Sequence, residues 1–337
     1  MISDSITIIV PVYNGECFVK ECVDMIRAQT YPYWECIFVD DGSTDGTHKL
    51  LINSIEDDNR FRVLKQNNSG VSSARNRGLS EASHELITFV DVDDCIHPMY
   101  LEILLALLRD NDAQVSCCDV LKIKERVSHK VLARNKNEII LFNGVEAVRD
   151  MFYRRRVQGY ACAKLFVKEI IDFNFPENLK YGEDSVWLYN VLSHCPRVVW
   201  SSMELYLYYQ HSGSSTHCET DIIGWKKLYD ILTNEIWEDV IKSKSITLNA
   251  LRNDVFIRAL NIATRMQGAT QGVGFAQEIY KYIDDNKYLV LTDTYAKRAV
   301  RLLAFIGSFV GVKRLVSICA FLRGLENRGV FQRKKGL

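Results

Sequence analysis

Three acidic residues end an apolar run in TFVDVDDCIHP, Thr88 to Pro98: Asp91, Asp93 and Asp94. Carboxylates crowded at a strand end repel one another and need a counter-charge. Such hard oxygen ligands suit a divalent cation, and Mg²⁺ commonly combines one or two carboxylates with phosphate oxygens of a substrate. A solvated turn with an Asp capping the next helix would use the same residues, so the run alone leaves both readings open. Asp40-Asp41, in VDDGSTDG, is a second acidic strand end. It is either a turn made of turn-forming residues or an acceptor for a base N–H and ribose hydroxyls. Arg75 and Asn76, in SSARNRGL, open a short helix, with Arg75 either an exposed helical charge or a cation for a nucleotide. Glu183-Asp184, in YGEDSVWLYN, suits the positive end of a helix. It also suits a general base whose pKa is raised by a neighbouring acid and by Trp187 one turn on.

Placing these residues together requires a particular sheet. Ile6 to Val12, ITIIVPV, is a continuous apolar and β-branched run of the kind buried on both faces. A helical pattern follows through Phe18, Val19, Cys22, Val23 and Ile26, then the strand ECIFVDD, a helix in HKLLINSI and a strand in RFRVLK. SSARNRGLSEA is predicted helical, LITFVDVDD a strand, PMYLEILLALLRD a helix with Pro98 near its first turn, and AQVSCCDVL a strand. Alternating strands and helices predict a parallel sheet with right-handed crossovers, and ligands of such sheets sit at the carboxyl ends of the strands. The Tyr13-Asn14 turn, Asp40-Asp41 and the Asp91 cluster are therefore expected on one edge. All five prolines lie at or before Pro196. DVFIRALNIATRM and AKRAVRLLAFIGSFVGVKRLVSICAFLRGL are predicted helical, with a soft boundary near Asp221.

Composition excludes little: 337 residues, 47% hydrophobic, formal net charge +0. Charge is unevenly placed, however, with ten Lys/Arg and a single acid (Glu326) from Ala296 onward against 42 of each sign in the whole chain. An acidic body with a basic tail suggests an anionic surface for the tail. Its apolar stretches broken by basic pairs fit an interfacial helix on anionic lipid; packing against the rest of the chain and homo-oligomer contact are the alternatives. The acidic body and the lack of a nucleic-acid motif disfavour nucleic acid as a partner. MISDSITIIV lacks a basic n-region and cleavage site, so the ten cysteines, which include no C-x-x-C pair, are expected to be reduced. No apolar run reaches the ~20 residues of a membrane span.

IIVPVYNGE, FVDDGSTDGT, NSGVSSARNRGL and FVDVDD, in that order and at those separations, closely resemble the family 2 glycosyltransferases of the GT-A fold. The bacterial members that build capsule, exopolysaccharide and O-antigen are the most similar. The resemblance covers roughly the first two-thirds of the chain, and CAKLF and YGEDSVWLYN also match what the family carries downstream. It implies an α/β fold: a Rossmann-like, mostly parallel sheet flanked by helices, with a helical C-terminal region. Residues 1–220 would be catalytic, with a nucleotide-sugar half (1–112) and an acceptor half (113–220), and 221–337 would be helical. It further implies that Pro11 and Tyr13 border the nucleotide base, that Asp40 and Asp41 meet uracil or ribose, and that Arg75 lies on the base side. Asp91 and Asp93 match the D-x-D motif, with Asp91 toward ribose or donor sugar as well as metal, Asp93 on a bound Mn²⁺ or Mg²⁺, and Asp94 near the donor sugar. Asp184 would be the general base.

The chain departs from processive members in having neither Q-x-x-R-W nor transmembrane helices. YYQHSGSSTH stands where relatives place a diphosphate loop, which makes His211, Ser214 and Ser215 candidate donors; Lys164 is a candidate structural residue. The implied activity is inverting, metal-dependent transfer from a nucleotide-diphosphate sugar, most often a UDP-sugar, to a glycan or lipid-linked glycan acceptor. The implied location is the cytoplasm, with peripheral attachment to the inner face of the cell membrane as a further option. Three alternatives are weaker. A sugar-phosphate nucleotidyltransferase would want a Gly-rich loop after the first strand, and PVYNGE has one glycine; a Rossmann dehydrogenase lacks its G-x-G-x-x-G for the same reason. A silent nucleotide- or glycan-binding partner subunit should have lost an essential carboxylate, whereas Asp91, Asp93 and Asp184 are all present.

Overall fold

The first strand, β1 (Ile6–Val12), is buried along its whole length, as a run of isoleucine and valine without polar alternation requires. The computed structural model describes residues 4–124, 138–211, 221–242, 247–267 and 273–327. After β1 the chain forms α1 (Glu16–Arg27), β2 (Trp34–Asp40), α2 (Thr47–Ile55), β3 (Phe61–Lys65), α3 (Val71–Glu81) and β4 (Leu86–Phe89). It continues through a two-residue β5 (Cys95–Ile96), α4 (Tyr100–Asp110), β6 (Val115–Ile123), β7 (Ile139–Phe142), α5 (Gly144–Phe152), β8 (Lys164–Val167), α6 (Glu183–Ser193) and β9 (Val198–Tyr209).

Among the described residues these strands form one sheet in the order β3-β2-β1-β4-β8-β6-β9-β5, with β7 paired to β9. The first four are mutually parallel, as the strand–helix alternation predicts. The sheet then becomes mixed, because β8 runs antiparallel to both β4 and β6 while β9 is parallel to β6. On one face, Val19, Cys22, Val23 and Ile26 of α1 and Leu101, Leu104 and Leu108 of α4 close over Ile6, Ile8, Val10 and Phe38. On the other, Ala74 of α3 packs with Ile37 and Val39. That second helix lies so close that a Cβ at Gly78 would stand 2.4 Å from Ile9 Cγ2, which explains the glycine inside ARNRGL.

Three boundaries differ from expectation. The predicted strand LITFVDVDD ends early, at Phe89. Pro11 has no N–H to extend the β1–β4 ladder, pairing stops at Ile9 with Phe89, and the acidic residues are released from the sheet into a turn. Pro98 lies before α4 rather than in it, since Met99 is the N-cap. Arg75 and Asn76 sit inside α3, which starts at Val71.

Two compact units emerge. One comprises Met1–Met151 and Arg156–Ser214; the other comprises Phe152–Arg155 and Ser215–Leu337. The second is helical: α7 (Ile222–Asp230), a π-helical turn (Ile231–Glu235), α8 (Ile236–Lys242), α9 (Leu248–Arg265), α10 (Val273–Thr292), α11 (Arg298–Val310) and α12 (Val312–Asn327). The long helical run expected after Ala296 is thus two helices, divided at Gly311, whose φ is 79°. Within this unit the buried Asp254 receives Arg154 Nε at 2.7 Å and Arg258 Nε at 2.5 Å. These two cations, with their hydrogen bonds, hold its carboxyl below the usual range against the opposing cost of burial. No helix among the described residues is long and apolar enough to cross a membrane.

Candidate active site

Because β2, β1 and β4 are parallel neighbours, their carboxyl ends face the same edge, and the polar segments that follow them meet there. Tyr13 is 51% exposed at this edge, while Pro11 is buried within β1. Asn14, at φ 49°, turns the chain and is tied to the loop after β2: its N–H donates to Ser43 Oγ at 2.9 Å and its Oδ1 accepts from Thr44 N–H at 2.9 Å.

The adjacent Asp40 and Asp41 play different parts. Asp41 is saturated by the fold, accepting from Gln66 Nε2 and from the Ser69 and Gly70 N–H groups, each at 2.8 Å. Those bonds shape the approach to α3. Asp40 is fully buried and its Oδ1 accepts from Ser43 N–H at 2.9 Å. Its Oδ2 lies 3.1 Å from His48 Nδ1, yet the two atoms are off the line of a hydrogen bond and both stay unsatisfied.

The acidic turn after β4 is held from the opposite side of the sheet by β9. Tyr206 Oη accepts the Asp91 N–H at 3.1 Å and donates to Asp94 Oδ2 at 2.8 Å. The Tyr209 N–H donates to Asp94 Oδ1 at 2.9 Å. Asp94 is 1% exposed; burial first, then the charges of Asp91 and Asp93, push its carboxyl up to about 8. Asp93 is also raised, by burial and by Asp91, and its Oδ2 stands 2.8 Å from His211 Nε2. His211 is stacked on Tyr209 at 5.2 Å. Ser214 and Ser215 lie outside the described residues.

Arg75, 4% exposed, links this turn to α6. Its Nη2 is 3.1 Å from Asp91 Oδ1; its Nη1 is 2.6 Å from Asp184 Oδ1 and 3.4 Å from Glu183 Oε1. One guanidinium is thus shared among three carboxylates, and they raise its already high pKa despite burial. Asp184 and Glu183 open α6 after the left-handed Gly182, and Asp184 Oδ2 also accepts the Ala161 N–H at 3.3 Å. Burial raises the Asp184 carboxyl against the pull of Arg75, and Asp91 adds to the rise. Glu183 is pushed up to about 7 by burial and by Asp184. Trp187, one turn further along α6, is fully buried and stacked on Phe175 at 4.2 Å. Asn76 clamps the adjoining loop by hydrogen bonds with Phe175 N–H and C=O at 2.7 and 3.0 Å. Lys164 is structural, donating to the carbonyls of Tyr160 at 2.7 Å and Gln158 at 2.9 Å.

The residues present fit a divalent cation. Among the described residues, donor atoms of Asp91, Asp94 and Cys162 all lie within 4.8 Å of one another. The Cys162 thiol is held protonated by burial and nearby acids, which leaves the two carboxylates as hard ligands. Asp93 is outside this group. The motif reading missed Tyr206, Tyr209 and Cys162; the aromatic run ELYLYYQH that leads into His211 was the available signal.

Known proteins resemble this chain in sequence and in fold. The sequence profile described as Glycosyl transferase family 2 matches residues 7–167. The glycosyltransferase GlyA of Streptococcus pneumoniae is 29% identical over 66% of the chain, which spans only 33% of that relative; GlyG of the same organism is 27% identical over 74% of the chain and 85% of the relative. Among solved structures, residues 1–349 of S. aureus TarS with UDP-GlcNAc superpose at a TM-score of 0.66, with 18% identity, covering 95% of this chain and 92% of that one. A mannosyltransferase of Pyrobaculum calidifontis, solved with GDP-Man and Mn²⁺, superposes at 0.52 with 15% identity over 94% and 86%. At such identities the structural likeness establishes the GT-A fold, and the sequence match shows that residues 7–167 carry a family 2 glycosyltransferase domain.

Proposed function

We propose that the chain transfers a sugar with inversion from a nucleotide-diphosphate sugar, a UDP-sugar in the first instance, to a hydroxyl of a glycan or lipid-linked glycan acceptor in cell-surface polysaccharide synthesis. The observation that carries this reading is Arg75 bridging Asp91 and Asp184: a single side chain reaches both the acid at the donor end of the sheet and the acid at the start of α6. Residues 1–112 would serve the donor and 113–220 the acceptor.

Asp40 and the Pro11–Tyr13 edge would take the base and ribose, with Asp41 acting indirectly through the loop it holds. Asp91 and Asp94, with Asp93 beside them, would hold Mn²⁺ or Mg²⁺. When bound, such a cation neutralises charge on the departing diphosphate. His211, carried beside Asp93, would meet the diphosphate. The acceptor oxygen attacks C1 of the sugar, the bond from C1 to the phosphate oxygen breaks with its electron pair leaving on the nucleotide diphosphate, and the hydroxyl proton passes to Asp184. Burial raises the proton affinity of Asp184, while Arg75 and the Ala161 N–H fix its orientation; a positioned base of raised pKa is what such a step needs. Holding donor and acceptor together supplies the proximity.

The test is a panel of UDP-, GDP- and TDP-sugars with Mn²⁺ or Mg²⁺ and then with chelator, scoring release of free nucleotide diphosphate. One donor hydrolysed only with metal is expected. A chain that binds no nucleotide under any condition would instead be the silent partner subunit.

A further inference from the structure

The last two helices carry cations where they begin. Lys297 is the N-cap of α11 and Arg298 its first residue, with no acid in the first turn. Lys313 and Arg314 open α12, again with no acid in the first turn. Cations at a helix N-terminus oppose the macrodipole. Between residues 296 and 322 the chain has five cations and no acid.

The apolar residues are placed with the same disregard for local solvation. Leu302, Phe305 and Phe309 recur at i, i+3 and i+7, one face of α11. All three are exposed, Phe309 to 74%, and the two phenylalanine rings touch at 4.7 Å between centroids. On α12, Ile318, Phe321 and Leu322 are exposed, Phe321 to 67%. Other positions of these helices do the packing: Val300 and Ala304 on α11 and Leu315 and Val316 on α12 are buried. A Cβ at Gly307 would lie 2.8 Å from Leu315 Cδ2. The core side is therefore already filled, and the exposed stripe is surplus to it. Single exposed leucines are ordinary on a soluble protein, whereas a run of exposed aromatic and aliphatic side chains marks an interaction surface.

We propose that α11 and α12 form an interfacial docking surface for an anionic lipid bilayer, with the exposed apolar stripe entering the headgroup–acyl boundary and the exposed cations Arg298, Lys313 and Arg314 meeting acidic headgroups. Neither helix is long and apolar enough to span, which fits a helix lying in the interface plane. Charge selects this occupant over a second copy of the chain, because a self-complementary interface would set the same cations against one another. Acidic headgroups complement them.

The experiment is sedimentation of the full chain with phosphatidylcholine vesicles, with and without phosphatidylglycerol, across a salt series. Binding should require phosphatidylglycerol and weaken as salt screens it. Lys313→Glu with Arg314→Glu should lower the partition coefficient by at least about twentyfold, since each cation near the surface contributes about fivefold. Phe305→Ser with Phe309→Ser, solvent-facing changes that leave the core intact, should lower it at least about tenfold. Equal binding to neutral vesicles, or no binding to either, would overturn the proposal. So would lipid-free self-association abolished by Phe309→Ser. The readout uses no sugar donor, so it stands or falls independently of the transferase reading.

Discussion

Two buried aspartates have opposite surroundings. Asp254 in the helical unit is enclosed by Arg154 and Arg258, and its carboxyl is held below the usual range. Asp94 at the sheet edge is equally buried, but its charged neighbours are Asp91 and Asp93, and its carboxyl is pushed up to about 8. A buried charge is tolerated when a partner and hydrogen bonds offset its desolvation. Asp254 has that partner within the chain and is a structural ion pair. Asp94 has hydrogen bonds from Tyr206 and Tyr209 and, among the described residues, no such cation, which is the setting that the proposed cation site calls for. Asp184 lies between the two cases, with one arginine shared among three acids.

The largest expected effect concerns Asp184. Asp184→Asn keeps the shape and removes the base, so turnover should fall by about 10²–10⁴-fold while nucleotide affinity stays within a few-fold. Steady-state rates beside calorimetric binding would check both halves, and near-normal turnover would take the base role from Asp184.

Next is the structural pair. Asp254→Ala leaves two arginines that are partly solvent-facing, with side chains 35% and 17% exposed. The cost should therefore sit at or below the low end for a broken buried pair, about 2–3 kcal/mol in denaturant unfolding. Asp94→Asn in metal-free protein should be close to neutral below about pH 4, where the carboxyl is protonated in the folded and the unfolded chain alike, and stabilising by up to about 1 kcal/mol toward pH 8, where the raised pKa makes folding take up a proton that Asn does not need. Equal destabilisation by the two substitutions would break the comparison.

The two sites should also tilt stability with pH in opposite senses. A folded pKa raised to about 8 means that stability is fully present below the unfolded Asp value of about 4 and is lost as pH rises toward 8. A folded pKa lowered in Asp254 means that stability is present above about 4 and is lost as pH falls through the folded value. Melting curves of metal-free protein should thus decline on the alkaline side, and Asp94→Asn should flatten that decline without changing the acid limb.

How far this was legible in the sequence follows from where the information lies. Runs such as ITIIVPV and ECIFVD announce strands buried on both faces, so the parallel half of the sheet and its acidic edge could be read directly. The mixed half could not. The antiparallel placement of β8 and the long β9 depend on pairings between distant segments, which no local pattern encodes. Motif spacing singled out Asp91, Arg75 and Asp184, which meet in the structure, yet it could not divide the work of adjacent acids. That Asp41 is spent on the loop before α3 while Asp40 keeps an unsatisfied oxygen is a matter of backbone geometry. Tyr206 and Cys162 look like core residues in the sequence, and they are core residues that also border the acidic turn. The break at Gly311 was hidden by apolar neighbours that suit one helix as well as two.

The most direct measurement is calorimetric titration of UDP into the chain with Mn²⁺ and with chelator, in wild type and in Asp91→Asn. If the acids at the end of β4 are a cation site that serves a nucleotide diphosphate, Mn²⁺ should tighten UDP at least about tenfold, a coupling of about 1.4 kcal/mol, and Asp91→Asn should abolish that gain. The same UDP affinity with and without Mn²⁺ in wild type would contradict it.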